Sequence, residues 1–270
     1  MYMLNSVIKQ MILIFLCVII LKERHICNST GVDVMICFYI HGWAVNQKIW
    51  PQALRTKESY FYNCSQYPDE HHLADVFNKV WKIHKKKITV VGWSLGGMLA
   101  MQLAELYPDK IERLLLIAST PRFTACKDYS GGISPGIVKN LLRKVSRNKN
   151  KAQKDFYELM FSENEKDTKK KFMLTLDLTF FNIEESILKK GLEYLLMKDL
   201  RRNLAQIAVP TEIIHGSKDS ICLPEAAIYM KEHIPFAKLI YIENAGHIPF
   251  ITREKYMVHL IHQQQEVQDD

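Results

Sequence analysis

The segment GWSLG at residues 92–96 carries the most specific chemical signal in this sequence. It matches the pattern GxSxG, in which a serine lies on a tight turn between a strand and a helix with its hydroxyl exposed. An apolar run, Lys87–Gly92, precedes Ser94, and a segment with helical apolar spacing, Leu95–Tyr107, follows it. The motif in this context predicts Ser94 as a catalytic nucleophile.

A serine hydroxyl is a weak nucleophile until a base removes its proton. His247 is the best candidate base, because it follows the last apolar strand of the sequence. Asp219 follows the strand predicted over Thr211–His215 and is the candidate acid that orients the imidazole. The chain order serine, acid, histidine agrees with this assignment. Asp199 is the alternative acid, although a salt bridge or a helix cap is the more natural interpretation of its position.

The tetrahedral intermediate of ester hydrolysis needs two N–H donors for its oxyanion. The residue after the nucleophile, Leu95, should supply one of them. The second should come from the loop after the first long strand, predicted over Val32–Ile40. Trp43 is the expected donor there, and Gly42 allows the backbone to come close.

The elements that position these residues are short apolar strands alternating with helical segments, an order that predicts a parallel sheet covered by helices. The further strands are predicted over Arg113–Ala118 and Lys238–Ile242. Between them, residues 121–199 form a highly charged helical stretch. We predict an α/β core over 29–120 and 200–270, a helical cap over 121–199, and an apolar N-terminal extension over 1–28.

The composition of the chain restricts its function classes. The 270 residues are 48% apolar and carry a formal charge of +7, which suggests an acidic partner. The basic run over residues 139–154 lacks interleaved aromatic residues and any recognised motif, so we expect no nucleic acid. The six cysteines form no CxxC pair, and no metal-ligand spacing occurs. We expect neither metal nor cofactor, and a reducing, cytoplasmic location.

The apolar run Met11–Leu21 leaves three interpretations open. It is too short for a comfortable membrane span. It could be a packed or dangling extension, an anchor on the membrane surface, or a signal peptide, although no small-x-small cleavage site follows it.

Taken together, these motifs resemble the α/β-hydrolase family and, within it, the carboxylesterases that demethylate pimeloyl-acyl-carrier-protein methyl ester in biotin synthesis. The resemblance extends from about Gly31 to the C-terminal helix. It rests on the segments HGW (41–43), GWSLGG (92–97), ASTPRF (118–123), GLE (191–193), DLR (199–201) and GHIPFI (246–251). One departure is the segment YNCSQYP at 62–68, where such esterases carry a Gly-rich turn, and it bears on the shape of the pocket floor.

The resemblance implies Ser94, Asp219 and His247 as the catalytic triad, with Trp43 and Leu95 also contacting substrate. It implies a cap that holds the acyl chain against aromatic side chains, and the local pattern suggests Phe156, Tyr157 and Leu159 as the lining positions. It also implies that basic residues of the cap dock an acidic acyl-carrier protein. The candidates lie on one predicted helix, with pairs three or four residues apart (139/143, 144/147 and 143/147), namely Lys139, Arg143, Lys144 and Arg147.

Two competing functions remain at this point. One is a different carboxylesterase, a thioesterase, or a lysophospholipase-like hydrolase of small or membrane-derived esters, which the apolar N-terminus favours. The other is a catalytically silent member of the fold that binds acyl carriers or proteins. The filled triad positions argue against the silent member. We expect a monomer.

Overall fold

The computed structural model of this chain describes residues 35–63, 70–176 and 182–262. The predicted extension over 1–28, including the apolar run Met11–Leu21, lies outside these ranges. The same holds for most of the departure at 62–68.

Six strands form one sheet in the described residues, in the order β2-β1-β3-β4-β5-β6, and every neighbouring pair is parallel. Parallel strands need crossover connections, and the helices of the chain supply them. The strands are β1 (Cys37–Ile40), β2 (Ser59–Tyr62), β3 (Ile88–Trp93), β4 (Ile111–Ile117), β5 (Thr211–Gly216) and β6 (Ala237–Ile242). The predicted α/β-hydrolase architecture with its parallel sheet is therefore confirmed.

Helices cover the sheet and extend beyond it. In the described ranges they are α1 (Glu70–His84), α2 (Leu95–Leu106), α3 (Pro135–Arg147), α4 (Lys149–Leu159), α5 (Lys166–Thr175), α6 (Glu185–Met197), α7 (Pro224–His233), α8 (Pro249–Thr252) and α9 (Glu254–His262). All residues of β3 and β5 are buried, as expected for central strands with both faces covered. No helix in the described ranges is long and apolar enough to cross a bilayer.

Strand β2 was not predicted from the sequence. Its first three residues are only half-buried, because it lies at the edge of the sheet. An edge strand of four residues with a mixed pattern gives little periodic signal. The other predicted strands are confirmed with shifted ends. Of the strand predicted over Val32–Ile40, residues 32–34 lie outside the described ranges, and the described part is a strand from Cys37. Strand β4 begins at Ile111 rather than Arg113.

Residues 121–199 contain α3, α4, α5 and α6. The two ends of this segment pair with each other. Arg122 and Asp199 form an antiparallel bridge, and the Arg122 guanidinium donates to the Asp199 carboxylate at 2.6 Å. Burial alone would raise the pKa of Asp199, but hydrogen bonds from Arg201 and Arg122 outweigh it and hold the pKa well below its usual range. Asp199 is therefore engaged in a salt-bridge cluster at the base of this helical segment, here called the cap.

Candidate active site

Ser94 lies at the turn between β3, which ends at Trp93, and α2, which begins at Leu95. Its backbone has φ 57° and ψ −122°, a conformation that is strained for a residue with a side chain. Two hydrogen bonds fix it: Ser94 N–H donates to Ile117 O at 2.9 Å, and the Ser119 hydroxyl donates to Ser94 O at 2.8 Å. The strand and helix thus hold Ser94 in the geometry that its motif predicts.

The turn needs a residue without a side chain at Gly96, two positions after the serine. A Cβ built on Gly96 would lie 2.1 Å from the carbonyl oxygen of Ile40. Any side chain there would push α2 away from the end of β1. Because β1 leads directly into the segment that contains Trp43, the glycine keeps that segment and Ser94 close together.

Asp219 and His247 come together in a buried hydrogen bond, with 2.8 Å between His247 Nδ1 and Asp219 Oδ2. The other carboxylate oxygen, Oδ1, accepts the N–H groups of Ile221 and Cys222 at 2.8 and 3.1 Å. These two bonds fix the rotation of the carboxylate. With Nδ1–H donated to Asp219, Nε2 of His247 keeps its lone pair and can act as a base.

The loop that carries His247 packs against the residue before the serine. The indole N–H of Trp93 donates to His247 O at 2.8 Å, and the indole and imidazole ring centres are 5.4 Å apart. Nε2 of His247 is buried and makes no hydrogen bond with any described residue. The hydrogen bond that a resting triad would show between His247 and Ser94 is thus not formed in this structure.

Cys222 lies near the Ser94 side chain, in the loop that follows Asp219. Burial raises the pKa of the Cys222 thiol well above its usual value, the Asp219 charge adds to this shift, and the Ser94 hydroxyl opposes it. The thiol is therefore neutral. Cys222 was not predicted from the sequence, because a single cysteine carries no signal of its contacts.

The predicted oxyanion segment lies beside the serine. A Cβ built on Gly42 would come within 3.1 Å of the Ser94 Cβ. Leu95 is the first residue of α2, where backbone N–H groups have no partner within the helix. The indole N–H of Trp43 donates to Leu188 O of α6 at 2.8 Å, which ties this segment to the cap.

Phe156 and Tyr157 contact the segment that contains Trp43. The ring of Phe156 lies edge-on to Trp43, with 4.7 Å between the ring centres. The Tyr157 hydroxyl donates to Ala44 O. Leu159, predicted to contact the acyl chain, is 57% exposed on α4. Of the three, Phe156 and Tyr157 therefore support the segment that carries Trp43, and Leu159 points to solvent.

A cavity of about 440 Å³ opens between the segment that contains Trp43 and the start of α6. Its apolar wall includes Trp43, Ile183 and Ile187, and Lys48 and Glu184 contribute charged groups. Ile183 and Ile187 were not predicted as lining residues, because the resemblance implies aromatic side chains and the aromatic candidates lie on α4. Their spacing of four residues is a signal that could have identified them.

The predicted carrier-binding residues are all exposed on α3: Lys139, Arg143, Lys144 and Arg147. None of them forms an ion pair with a described residue. Val138 and Val145 are buried on the opposite side of the helix. The exposed side of α3, here called the basic face, therefore presents four positive charges to solvent.

Two buried histidines near the site are held neutral. Burial lowers the pKa of His41 to about 4. Burial also lowers the pKa of His215, whose Nε2 lies 2.8 Å from Cys222 O and 3.5 Å from the Asp219 carboxylate. A neutral imidazole at position 215 leaves the Asp219 charge available to His247.

Because burial lowers the pKa of both histidines, we expect the protein to lose stability in mild acid. An unfolded histidine takes up a proton near pH 6.5, so between pH 6.5 and 4 the unfolded state binds more protons than the folded one. The free energy of unfolding should therefore fall as the pH falls through this window, by about 2 kcal/mol at pH 5 from His41 alone. Urea unfolding at pH 7.5 and pH 5 measures this. His41→Gln should flatten the dependence, and an unchanged slope would contradict the assignment.

Comparison with known proteins agrees with this architecture. A family model described as alpha/beta hydrolase fold matches residues 55–254. A relative from Nitrosospira multiformis named pimeloyl-[acyl-carrier protein] methyl ester esterase is 28% identical, covering 86% of this chain and 94% of the relative. A relative of the same name from Photorhabdus laumondii subsp. laumondii is 27% identical, covering 82% of this chain and 88% of its own length.

Solved structures share the fold at low sequence identity. An esterase from Exiguobacterium antarcticum superposes with a TM-score of 0.73 at 23% identity, covering 85% of this chain and 91% of that chain. A bromoperoxidase from Bacillus anthracis superposes with a TM-score of 0.76 at 19% identity, with the same two coverages. Because proteins of different activity share this fold, the fold does not define the substrate.

Proposed function

We propose that this chain, which belongs to the α/β-hydrolase fold family, is a serine carboxylesterase that removes the methyl group from pimeloyl-acyl-carrier-protein methyl ester. The observation that carries the reaction type is the buried hydrogen bond between Asp219 and His247 beside the strained turn of Ser94. The substrate rests on the relatives of that name, which match more than four fifths of this chain.

The proposed chemistry begins when the Ser94 hydroxyl turns toward His247 Nε2. His247 Nε2 takes the hydroxyl proton as Oγ attacks the ester carbonyl, and Asp219 stabilises the resulting imidazolium. The backbone N–H groups of Leu95 and Trp43 donate hydrogen bonds to the carbonyl oxygen and stabilise its negative charge. Methanol leaves with the proton held by His247. Water then attacks the acyl-enzyme by the same route and releases the free acid.

The cavity beside Trp43 suits an acyl chain with a polar end. Its apolar wall can bury methylene groups, each worth about 0.8 kcal/mol of transfer free energy. Charged side chains such as Lys48 lie along the same cavity, where the polar part of a carrier-linked substrate can meet them. We therefore place the acyl chain between Trp43 and the N-terminal part of α6.

The proposed activity is tested directly with the carrier-linked substrate. Purified protein should release methanol and free carboxylate from pimeloyl-acyl-carrier-protein methyl ester, measured by gas chromatography and by intact mass of the carrier. The gene should also restore biotin-independent growth to a host that lacks its own esterase. Hydrolysis of short nitrophenyl esters without any release of methanol from the carrier-linked ester would indicate a different esterase.

Carrier docking should depend on the basic face of α3. In Arg143→Glu/Arg147→Glu, kcat/KM for the carrier-linked ester should fall about tenfold or more at low salt, because an acidic partner is steered by opposite charge. The same variant should hydrolyse a short free ester within about twofold of wild type. The loss should shrink as ionic strength rises.

A matched control for this charge reversal is Lys231→Glu/Lys238→Glu. Both lysines are exposed, on α7 and β6 respectively, so the net charge changes equally away from the cap. This control should leave both substrates near wild-type rates. Two results would show that the basic face does not recognise the carrier. One is an equal loss of kcat/KM on both substrates in the α3 variant. The other is an equal loss on the carrier-linked ester in the α3 variant and in the control.

A further inference from the structure

The loop that carries His247 is tied to the connection between α4 and α5. The backbone N–H of His247 donates to Met160 O at 2.7 Å, and the Ser162 hydroxyl donates to Asn244 O at 2.6 Å. A Cβ built on Gly246 would lie 2.5 Å from Met160 O, so the two segments are in direct contact. The candidate base is thus supported by a part of the chain about 80 residues away in sequence.

Glu165 stands at the centre of this contact. Its side chain is 1% exposed, and Oε2 accepts two backbone N–H groups, from Ser162 and from Gly246, each at 2.9 Å. The other oxygen, Oε1, makes no hydrogen bond with a described residue and lies 3.8 Å from Arg253 Nη1. One oxygen therefore joins the cap to the residue immediately before His247.

A buried carboxylate is costly unless hydrogen bonds compensate it. Here the compensating donors are backbone groups, and one of them belongs to a glycine that has no side chain to fix its own position. Restricting Gly246 restricts the backbone of His247, and misplacing a catalytic group by about 1 Å can cost about 10²-fold in rate. The carboxylate thus acts on the rate through the loop, without reaching the reacting atoms.

We propose that Glu165, assisted by the Ser162 hydroxyl, is a positioning residue that fixes the His247 loop against the cap. The inference rests on the proposed function, since it assigns Glu165 a role only through His247 as the base. It predicts that loosening this contact lowers the rate of the chemical step more than it lowers substrate affinity.

Glu165→Ala removes the acceptor for both N–H groups. Its kcat on a short ester should fall about 10- to 100-fold, with KM changed less than about threefold. Glu165→Gln keeps a carbonyl oxygen for the two N–H groups and should retain kcat within about threefold. Arg253→Ala removes the neighbouring charge and a local hydrogen bond to Thr252 O, leaves both N–H bonds of Glu165 in place, and should stay within about twofold. Rates are measured well below each variant's Tm and divided by the number of sites that a fluorophosphonate titrates.

A purely structural role gives a different result. Glu165→Ala with a lower Tm but wild-type kcat per titrated site would overturn the proposal. If Glu165→Ala does not fold, Ser162→Ala is the test, because it removes the hydrogen bond to Asn244 O and leaves the carboxylate in place. Its kcat per titrated site should fall about threefold or more. An unchanged kcat would overturn the proposal. Failure of the serine-esterase reaction on which the inference rests is distinct, because wild-type protein would then neither be labelled nor hydrolyse any ester.

Discussion

Replacing Ser94 with alanine should reduce ester hydrolysis by at least about 10⁴-fold. The reaction loses its nucleophile, and the remaining groups can only assist the direct attack of water. Folding should be little affected, because alanine meets the same backbone strain at φ 57° and the change removes only one hydroxyl group. The measurement is kcat/KM on a short ester together with Tm.

The matched control for this change is Ser146→Ala. Ser146 is exposed on α3 and its hydroxyl bonds only to Leu142 O one turn earlier, so hydrolysis should stay at the wild-type rate. A Ser94→Ala protein that keeps more than about one tenth of the wild-type kcat/KM would exclude Ser94 as the nucleophile.

Replacing Asp219 with asparagine should reduce kcat by about 10³- to 10⁴-fold. The amide oxygen should occupy the position of Oδ1, because the N–H groups of Ile221 and Cys222 need an acceptor there. The amide NH₂ then faces His247 Nδ1, which must become an acceptor. The imidazole proton moves to Nε2, and the nitrogen that should take the proton from Ser94 is no longer a base.

Asp199→Asn serves as the control for this substitution, because Asp199 is the other acid that the sequence suggests. It should lower Tm, since it weakens the cluster with Arg122 and Arg201. It should leave kcat per folded molecule within a few-fold. The opposite ranking, a large kcat loss in Asp199→Asn and a small one in Asp219→Asn, would reverse the assignment of the acid.

Local patterns predicted the sheet and the position of Ser94 because both depend on short stretches of sequence. β3 is a continuous apolar run, and GxSxG specifies the turn that follows it. The order of Ser94, Asp219 and His247 along the chain reflects the order of parallel strands, whose carboxyl ends meet at one edge of the sheet. In this fold, the order of these residues along the chain therefore predicts that they lie close together.

The parts that sequence did not predict are contacts between distant segments. Nothing near Glu165 in the sequence indicates that its carboxylate accepts the N–H of Gly246. Leu159 follows Phe156 and Tyr157 closely in sequence, but α4 turns it away from them toward solvent. Nε2 of His247 makes no hydrogen bond with a described residue, and this depends on side-chain rotations that no sequence pattern encodes.

The central claim is that Ser94 is a nucleophile activated by His247, and covalent trapping tests it most directly. Wild-type protein is treated with a fluorophosphonate probe, digested and mapped by mass spectrometry. The account predicts a single stoichiometric adduct on Ser94, formed much more slowly in His247→Gln. An adduct on another residue, no adduct in active enzyme, or equal labelling rates in wild type and His247→Gln would contradict it.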